Sequence, residues 1–219
     1  MIQSWLTAAD EELGRISHLA RQTLAFYRQT EGVRNLRIGA MLTSLLPVFA
    51  SATYKRKIVI DPEIKDDPEI LAAAGEIRQL IANLIGNAID AVGKGGRIRV
   101  RISATTALHD GSRGVRLTVA DNGCGISPAI RAQLFDPFVT SKQDVGTGLG
   151  LWVCRNIIEK HHGTIRAKSS AVPARSWTAF SVWLPALGRA SEPAAVTPDA
   201  SPTLREIRPP EPPALRNSA

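Results

Sequence analysis

The sequence predicts a two-layer α/β sandwich, in which mixed or antiparallel strands lie under three main helices. A broad apolar stripe at helical spacing runs through residues 76–92, and such a breadth is typical of a well-buried helix. Arginine alternates with apolar residues at 97–103, as in a strand with one face in water. A glycine-rich turn at 146–150 leads directly into another helical pattern, which completes the alternation of helices and strands.

The first two predicted elements are helices. Residues 6–29 form an amphipathic pattern, whose apolar stripe needs a partner, either a second copy of the chain or a helix upstream of it. A second helix is predicted at 35–50, with Leu42, Leu45 and Phe49 on one face.

The remaining elements follow in order. Short strands are predicted at 57–60 and 70–73, and glycines at 93–96 mark a turn after the buried helix. The composition beyond 188 is rich in Pro, Ala and Ser without apolar periodicity, which predicts a disordered tail. The later predicted elements are strands at 97–103 and 115–120, a helix at 149–161, and strands at 164–168 and 178–184.

Composition limits the classes of protein to which the chain can belong. Its 219 residues are 44% hydrophobic, enough for one core plus an appendage. No apolar run reaches the roughly 18 residues of a membrane helix, and no secretory signal opens the chain. Cys124 and Cys154 match neither a metal-ligand spacing nor a disulfide framework, so we expect a cytoplasmic protein.

The formal net charge of +7 has two interpretations. It can attract phosphates or an acidic partner, or it can belong to an ordinary basic surface. No block of Lys and Arg with interleaved aromatic residues appears. The sequence therefore favours an ordinary basic surface and no nucleic-acid partner.

Two glycine-rich turns are candidates for ligand binding. Asp121 ends a strand before Gly123 and Gly125, where a carboxylate can accept a hydrogen bond from an exocyclic amine such as that of adenine. The stretch 146–151 opens a helix whose N-terminus favours anions such as a triphosphate. Taken singly, each is more typical of a plain turn or of a flexible loop with a helix cap than of a ligand site.

Two further segments carry polar side chains in unusual places. Asn83 and Asn87 share one face of a buried helix, where an amide oxygen suits Mg²⁺, although satisfied core amides are the alternative. Phe135 and Phe138 are predicted to anchor a mobile segment to the core, and Lys142 can reach terminal phosphates. The alternative here is a surface loop with a solvated lysine.

The order of these four segments within about 75 residues resembles the catalytic ATP-binding domain of bacterial sensor histidine kinases, a member of the Bergerat-fold ATPase superfamily. They match the N, G1, F and G2 boxes of that family over roughly residues 34–187. The resemblance implies that Asp121 binds the adenine amine with support from Thr178, while Gly123 and Gly125 shape the turn. It also implies a catalytic role for Asn83 and Lys142, Mg²⁺ at Asn87, and further ATP contacts at Phe138, Gly146, Thr147, Gly148, Leu149 and Gly150.

One position separates phosphoryl transfer to histidine from hydrolysis. Hydrolysing superfamily members, such as type II topoisomerases and mismatch-repair ATPases, carry a Glu one helical turn before the Mg-binding Asn. Here that position is Asn83, and an amide cannot take a proton from water. The resemblance therefore implies a histidine kinase rather than an ATPase.

The chain also departs from the family. The phosphoacceptor motif His-Glu-x-x-Asn-Pro is absent, and His18 lacks the acidic neighbour of a family acceptor. His162 stands where the family has glycine, and His161 is expected to be a helix C-terminal residue. Trp177 replaces a common glycine, so its ring either narrows the adenine site or packs outward.

These interpretations give three segments and a function. Residues 1–30 are predicted to be a partial dimerisation helix, 34–187 the catalytic domain and 188–219 the tail. The expected activity is transfer of the γ-phosphoryl group of ATP-Mg²⁺ to a histidine on another segment or chain, with a response regulator as partner and a homodimer or heterodimer through the first helix. A catalytically incomplete ATP-binding regulator and a Bergerat-fold ATPase are the alternatives.

Overall fold

The structure is a computed structural model that describes residues 32–107, 111–140, 147–173 and 175–187. The helix predicted at 6–29 and the tail predicted at 188–219 lie outside the described residues. In chain order the elements are β1 (Val33–Leu36), α1 (Ile38–Leu45), a 3₁₀ turn (Leu46–Phe49), α2 (Ala50–Arg56), β2 (Val59–Ile64), β3 (Ile70–Ala73), α3 (Ala74–Ala91), β4 (Arg97–Thr106), β5 (Arg113–Asp121), α4 (Pro128–Arg131), α5 (Gly150–Lys160), β6 (Thr164–Ser170) and β7 (Trp177–Pro185).

Five strands form one mixed sheet in the order β2-β4-β5-β7-β6. Strand β2 pairs parallel to β4, and the other neighbours pair antiparallel. A separate two-stranded antiparallel sheet joins β1 to β3. The mixed sheet confirms the predicted strand arrangement.

The sheet has one buried face, and the helices lie on it. Alternate residues of the central strands, such as Val100 and Leu117, are completely buried. Helix α3 contributes nine buried residues, including Ile81 and Leu84, and packs against α5. Burial of each such side chain stabilises the fold by roughly 1.5–3 kcal/mol. This arrangement of one helical layer on one sheet confirms the two-layer α/β sandwich.

The predicted helix at 35–50 is wrong at both ends. Asn35 and Leu36 belong to β1, where they pair with Leu71 and Ile70 of a distant segment. The helical path then continues beyond residue 50 to Arg56, through a 3₁₀ turn that contains Pro47. Proline lacks the N–H that a regular helix interior requires, so the helix changes geometry there rather than ending.

The start of α1 depends on a carboxylate from the loop before β3. Asp67 Oδ2 accepts the backbone N–H of Gly39 at 2.8 Å, and burial raises the pKa of Asp67. A Cβ at residue 39 would lie 2.7 Å from the same oxygen. The contact satisfies an N–H that a helix N-terminus leaves unpaired.

The other elements predicted within the described residues are present, most of them with shifted ends. The strand predicted at 57–60 begins later, at Val59, because Lys57 ends α2 in the left-handed conformation with a φ of 52°. The strand predicted at 70–73 has the observed bounds, and the helix predicted at 76–92 begins two residues earlier, at Ala74. Within the described ranges, no helix is both long enough and apolar enough to span a bilayer.

Candidate functional site

Asp121 lies at the end of β5, opposite Thr178 of β7. Both residues are buried, with 5% and 3% exposure. Asp121 Oδ1 accepts the N–H of Gly123 at 2.9 Å. Burial raises the pKa of Asp121 to about 6, against the opposing effect of that hydrogen bond. Among the described residues no donor reaches the second oxygen, Oδ2, which is therefore available to a ligand N–H.

The turn after Asp121 requires glycine at two positions. A Cβ at Gly123 would lie 2.4 Å from the carbonyl oxygen of Ala91, at the end of α3. Gly125 has a φ of 75°, and its Cβ would lie 2.1 Å from the carbonyl oxygen of Ser170. The turn therefore packs backbone to backbone between α3 and β6, as the glycine pattern predicts.

Ser169 connects this turn to β7, and the motif analysis did not identify it. Its hydroxyl accepts the N–H of Ile126 at 2.8 Å, donates to the carbonyl of Trp177 at 2.8 Å, and lies 3.2 Å from Thr178 Oγ1. The feature that could have identified Ser169 is its place on the inward-facing side of β6, in register with Thr178. Such a hydroxyl needs partners.

The two asparagines of α3 face the start of α5. Asn83 Nδ2 donates to the carbonyl oxygen of Gly150 at 3.2 Å. A Cβ at Gly150 would lie 3.9 Å from Asn87 Nδ2 and 4.0 Å from Asn83 Cγ. Within the described residues the Asn87 side chain has no hydrogen bond. The fold thus brings the predicted asparagine helix and the predicted glycine turn into contact, with one amide free for a ligand.

Cys154 lies beneath Asn83 and is fully buried. Burial raises the pKa of its thiol to about 12, against the effect of a hydrogen bond with Asn83. The thiol is therefore neutral at physiological pH. The thiol lies 4.0 Å from the carbonyl oxygen of Leu80, and the amide of Asn83 is oriented by its hydrogen bond to the Gly150 carbonyl.

The segment before α5 contacts the glycine turn through its backbone. Gly148 has a φ of 67°, and a Cβ there would lie 2.4 Å from the carbonyl carbon of Phe138. Phe135 packs against the core as predicted, but the prediction that Phe138 anchors the segment is wrong, because its side chain is 73% exposed. Phe138 has a φ of 65°, and its ring faces outward from that strained conformation.

The rest of the predicted phosphate-binding segment is only partly described. Thr147 Oγ1 lies 3.4 Å from the N–H of Leu149, which precedes α5. Lys142 and Gly146 lie outside the described residues. Helix α5 has 11 residues and no side-chain cap at its start, so its first N–H groups favour an anion.

A buried carboxylate braces α3 against the far end of α5. Glu76 Oε2 lies 2.7 Å from His161 Nε2, and Glu76 Oε1 pairs with Lys160 Nζ. His161 follows the last residue of the helix, as expected for a C-terminal residue. His162, in place of a glycine, adopts a φ of 55°. The sequence analysis did not foresee the partnership of Glu76 with His161.

Trp177 packs outward. It alternates with buried Thr178 along β7, so its ring lies on the sheet face opposite the helices. There it borders a shallow groove of about 360 Å³ with Arg97 and Arg99. The ring is therefore directed away from the helix-covered face, toward which Thr178 points.

The described site combines an acceptor for an amine with a cradle for an anion. The Asp121 carboxyl group and its glycine turn form one part, and the Asn87 amide with the start of α5 forms the other. Such a combination fits a ligand with an exocyclic amine and a phosphate group.

The comparisons with known proteins agree with this description. The model of the histidine kinase-, DNA gyrase B- and HSP90-like ATPase family matches residues 73–188. The sensor histidine kinase ZraS of Salmonella typhimurium is 40% identical over 181 residues, which is 82% of this chain and 37% of ZraS. The chain spans 27% to 37% of the length of three curated relatives, all named histidine kinases.

Two solved structures share the fold. The catalytic domain of histidine kinase ThkA has a TM-score of 0.60 and 27% identity, over 70% of this chain and 95% of that domain. Full-length ShkA in complex with AMPPNP has a TM-score of 0.67 and 26% identity, over 84% of this chain and 38% of ShkA.

Proposed function

The chain belongs to the family of histidine kinase-, DNA gyrase B- and HSP90-like ATPases, as an ATP-binding domain of the bacterial sensor histidine kinase type, and from this premise we propose that it transfers the γ-phosphoryl group of ATP-Mg²⁺ to a histidine. The observation that carries the proposal is the convergence of Asn83, Asn87 and Gly150. It brings an unpaired amide to the N-terminus of α5, where phosphates bind favourably.

The adenine end of the nucleotide is assigned to Asp121. Its second oxygen accepts the exocyclic amine, and Gly123 and Gly125 let the backbone approach the ring. Thr178 and Ser169 hold the strand ends around that carboxyl group. AMPPNP in the structure of ShkA supports a nucleotide of this kind.

The phosphate end is assigned to Asn87 and the glycine turn. The Asn87 amide oxygen ligates Mg²⁺, which would neutralise charge on the phosphates. Gly148, Leu149 and Gly150 present backbone N–H groups, together with Gly146 and Thr147, and Lys142 contacts the γ-phosphate. Phe138 contributes through its backbone contact with Gly148.

Asn83 favours transfer over hydrolysis. Its amide donates a hydrogen bond to the Gly150 carbonyl, and an amide cannot act as a general base for water. Water is therefore a poor competitor of the histidine for the γ-phosphoryl group. We assign that histidine to another segment or chain. The first predicted helix would form a homodimeric or heterodimeric contact. The phosphoryl group would then pass from the histidine to a response regulator in the cytoplasm.

The test is incubation of the purified chain with γ-labelled ATP and Mg²⁺, alone and with a two-helix dimerisation hairpin from a relative. We expect label on the hairpin that survives alkali and is lost in acid, because phosphohistidine has that stability. Asn87→Ala should abolish the label, whereas the exposed control Arg78→Ala should retain it. ATP binding without any label would favour an incomplete regulator, and rapid phosphate release would favour an ATPase.

A further inference from the structure

The sheet face opposite the helices carries a charged depression, which we call the cationic trough. Its floor consists of small side chains on the two central strands, and its two walls are cationic side chains of the flanking strands. The floor residues are Thr118, Ala120, Ala179 and Ser181, and the wall residues are Arg99, Arg101, Arg166 and Lys168.

Strand register places the trough in two consecutive rows. One row runs from Arg99 across Ala120 and Ala179 to Lys168. The next runs from Arg101 across Thr118 and Ser181 to Arg166. The walls stand three strand spacings apart, which is about 14 Å. That width admits an α-helix, about 10–12 Å across, or an extended segment.

The two walls differ in how their charge is neutralised. On one wall, Arg101 pairs with Glu63 at 2.8 Å and Arg99 lies 3.8 Å from Asp61, both on β2. On the other wall, the ion pairs of the described residues include neither Arg166 nor Lys168, both of which are exposed. The β6 wall is therefore a source of uncompensated positive potential.

An apolar contact lies at one end of the trough. Trp177 is 41% exposed and borders the shallow groove with Arg97 and Arg99. A tryptophan next to guanidinium groups is typical of residues that dominate binding energy at protein interfaces. Such a ring gives the surface a hydrophobic anchor in addition to its charge.

We propose that the cationic trough binds an acidic segment of a partner protein, with carboxylates against the β6 wall and an apolar side chain against Trp177. The small floor residues let the backbone of the segment approach the sheet. A single-stranded nucleic acid fits less well, because non-specific binding of a single strand uses aromatic rings on which successive bases stack, and the four floor side chains between the walls include none. The trough lies on the opposite side of the sheet from the proposed nucleotide site.

The experiment uses the full chain and a fluorescein-labelled synthetic peptide rich in Glu with one Phe. Fluorescence anisotropy measures its affinity over a salt series. Reversing the β6 wall with Arg166→Glu and Lys168→Glu should weaken binding by about tenfold or more and reduce its salt dependence. The matched control Lys55→Glu with Arg78→Glu makes the same change in net charge on exposed helical residues, and should change affinity less than about twofold.

Further binding measurements distinguish an acidic peptide from other possible occupants of the trough. Trp177→Ala should weaken the peptide severalfold, and replacing its Phe by Ser should have the same effect. Equal loss in the wall variant and the control would overturn the proposal, since net charge alone would then explain binding. Tighter binding of an equally charged single-stranded DNA, or of phosphatidylserine vesicles, would overturn it too, as would no peptide binding at low salt. Unchanged thermal unfolding of each variant confirms that the fold is retained.

Discussion

Asp121 is a carboxylic acid in surroundings that oppose its ionisation. Burial at the end of β5 raises its pKa to about 6, and one N–H from Gly123 only partly offsets this effect. Strand β5 is paired with β4 on one side and with β7 on the other, so the backbone at Asp121 is fixed. The carboxyl group is therefore already positioned to accept a hydrogen bond from a ligand. A residue that destabilises the fold when charged is typical of a functional site.

This environment predicts a pH-dependent stability. The unfolded chain ionises near its ordinary value of 3.8 and the folded chain near 6. The stability contributed by the neutral acid is therefore complete below about pH 4 and is lost as pH rises through about 6, a difference of about 3 kcal/mol. Asp121→Asn should be more stable than the parent at pH 8 and similar at pH 4 in urea unfolding, while it binds ATP more weakly.

Asp66→Asn is the matched control for this prediction, because Asp66 is an exposed aspartate. It should change the free energy of unfolding at pH 8 by less than about 0.5 kcal/mol, as is usual for substitutions at exposed positions. Equal effects of the two substitutions at pH 8 would contradict the assigned cause.

Cys124 offers a chemical probe of the same turn. It is exposed, whereas Cys154 is buried with a pKa raised to about 12, so a maleimide should react with Cys124 alone. ATP-Mg²⁺ at ten times its Kd should slow the reaction by about tenfold, because only about a tenth of the chain remains free. Mass spectrometry of the labelled peptide measures the rate, and Cys124→Ser should remain unlabelled. An unchanged rate with nucleotide would contradict the assigned site.

At the scale of elements, α5 is held at both ends by α3. Asn83 contacts its first residue, and Glu76 contacts Lys160 and His161 at its far end. The position of the glycine turn therefore depends on a carboxylate at the opposite end of α5, an 11-residue helix about 16 Å long. A change at the far end of α5 is expected to alter the orientation of its start.

Removing the buried charge tests this brace. Glu76→Gln should lower the free energy of unfolding by about 2 kcal/mol, because charge-assisted hydrogen bonds of a buried group are lost. Arg155→Gln breaks an exposed pair within α5, with Glu159 at 2.8 Å, and should cost less than about 0.5 kcal/mol. Urea unfolding compares the two variants. Equal costs would mean that Glu76 is not a brace.

The glycines of the turn give a second comparison within one element. Gly148→Ala places a Cβ 2.4 Å from backbone at a φ of 67°, and we expect ATP affinity to fall by about tenfold or more. At Gly150, in contrast, an added Cβ would lie at ordinary contact distances from its neighbours, and the residue is helical. Gly150→Ala should retain the fold and gain up to about 1 kcal/mol in helix stability. Isothermal titration with ATP and urea unfolding measure the two effects, and equal losses in affinity would contradict the strain argument.

For the whole molecule, local patterns predicted more than contacts between distant segments. Strands β4 to β7 and helix α3 were predictable because their apolar residues repeat with the period of the element. Strand β1 was not, because its partner β3 lies more than thirty residues away and tertiary pairing overrides a helical pattern. The hydrogen bonds of Ser169 and Glu76 join residues from different helices and strands. They could not be predicted, because these residues come together only when the elements pack.

Nucleotide binding should stabilise the whole domain. A ligand that binds only the folded state at 100 times its Kd adds about 2.7 kcal/mol to the free energy of unfolding. ATP with Mg²⁺ should therefore raise the thermal midpoint, and EDTA should reduce the shift. Asn87→Ala should lose the Mg²⁺-dependent part, while Arg78→Ala should keep it. An equal shift in both variants would remove Asn87 from the metal site.

Within the described residues the five-stranded sheet ends at β2 and at β6, and both edge strands resist association with another sheet. Strand β2 carries Pro62, which cannot donate to an added strand, and β6 carries Arg166 and Lys168. Apolar replacements of these two cations would therefore expose an apolar edge strand and promote aggregation. Charge reversal keeps the edge strand charged, so a glutamate variant of the β6 wall remains a soluble reagent.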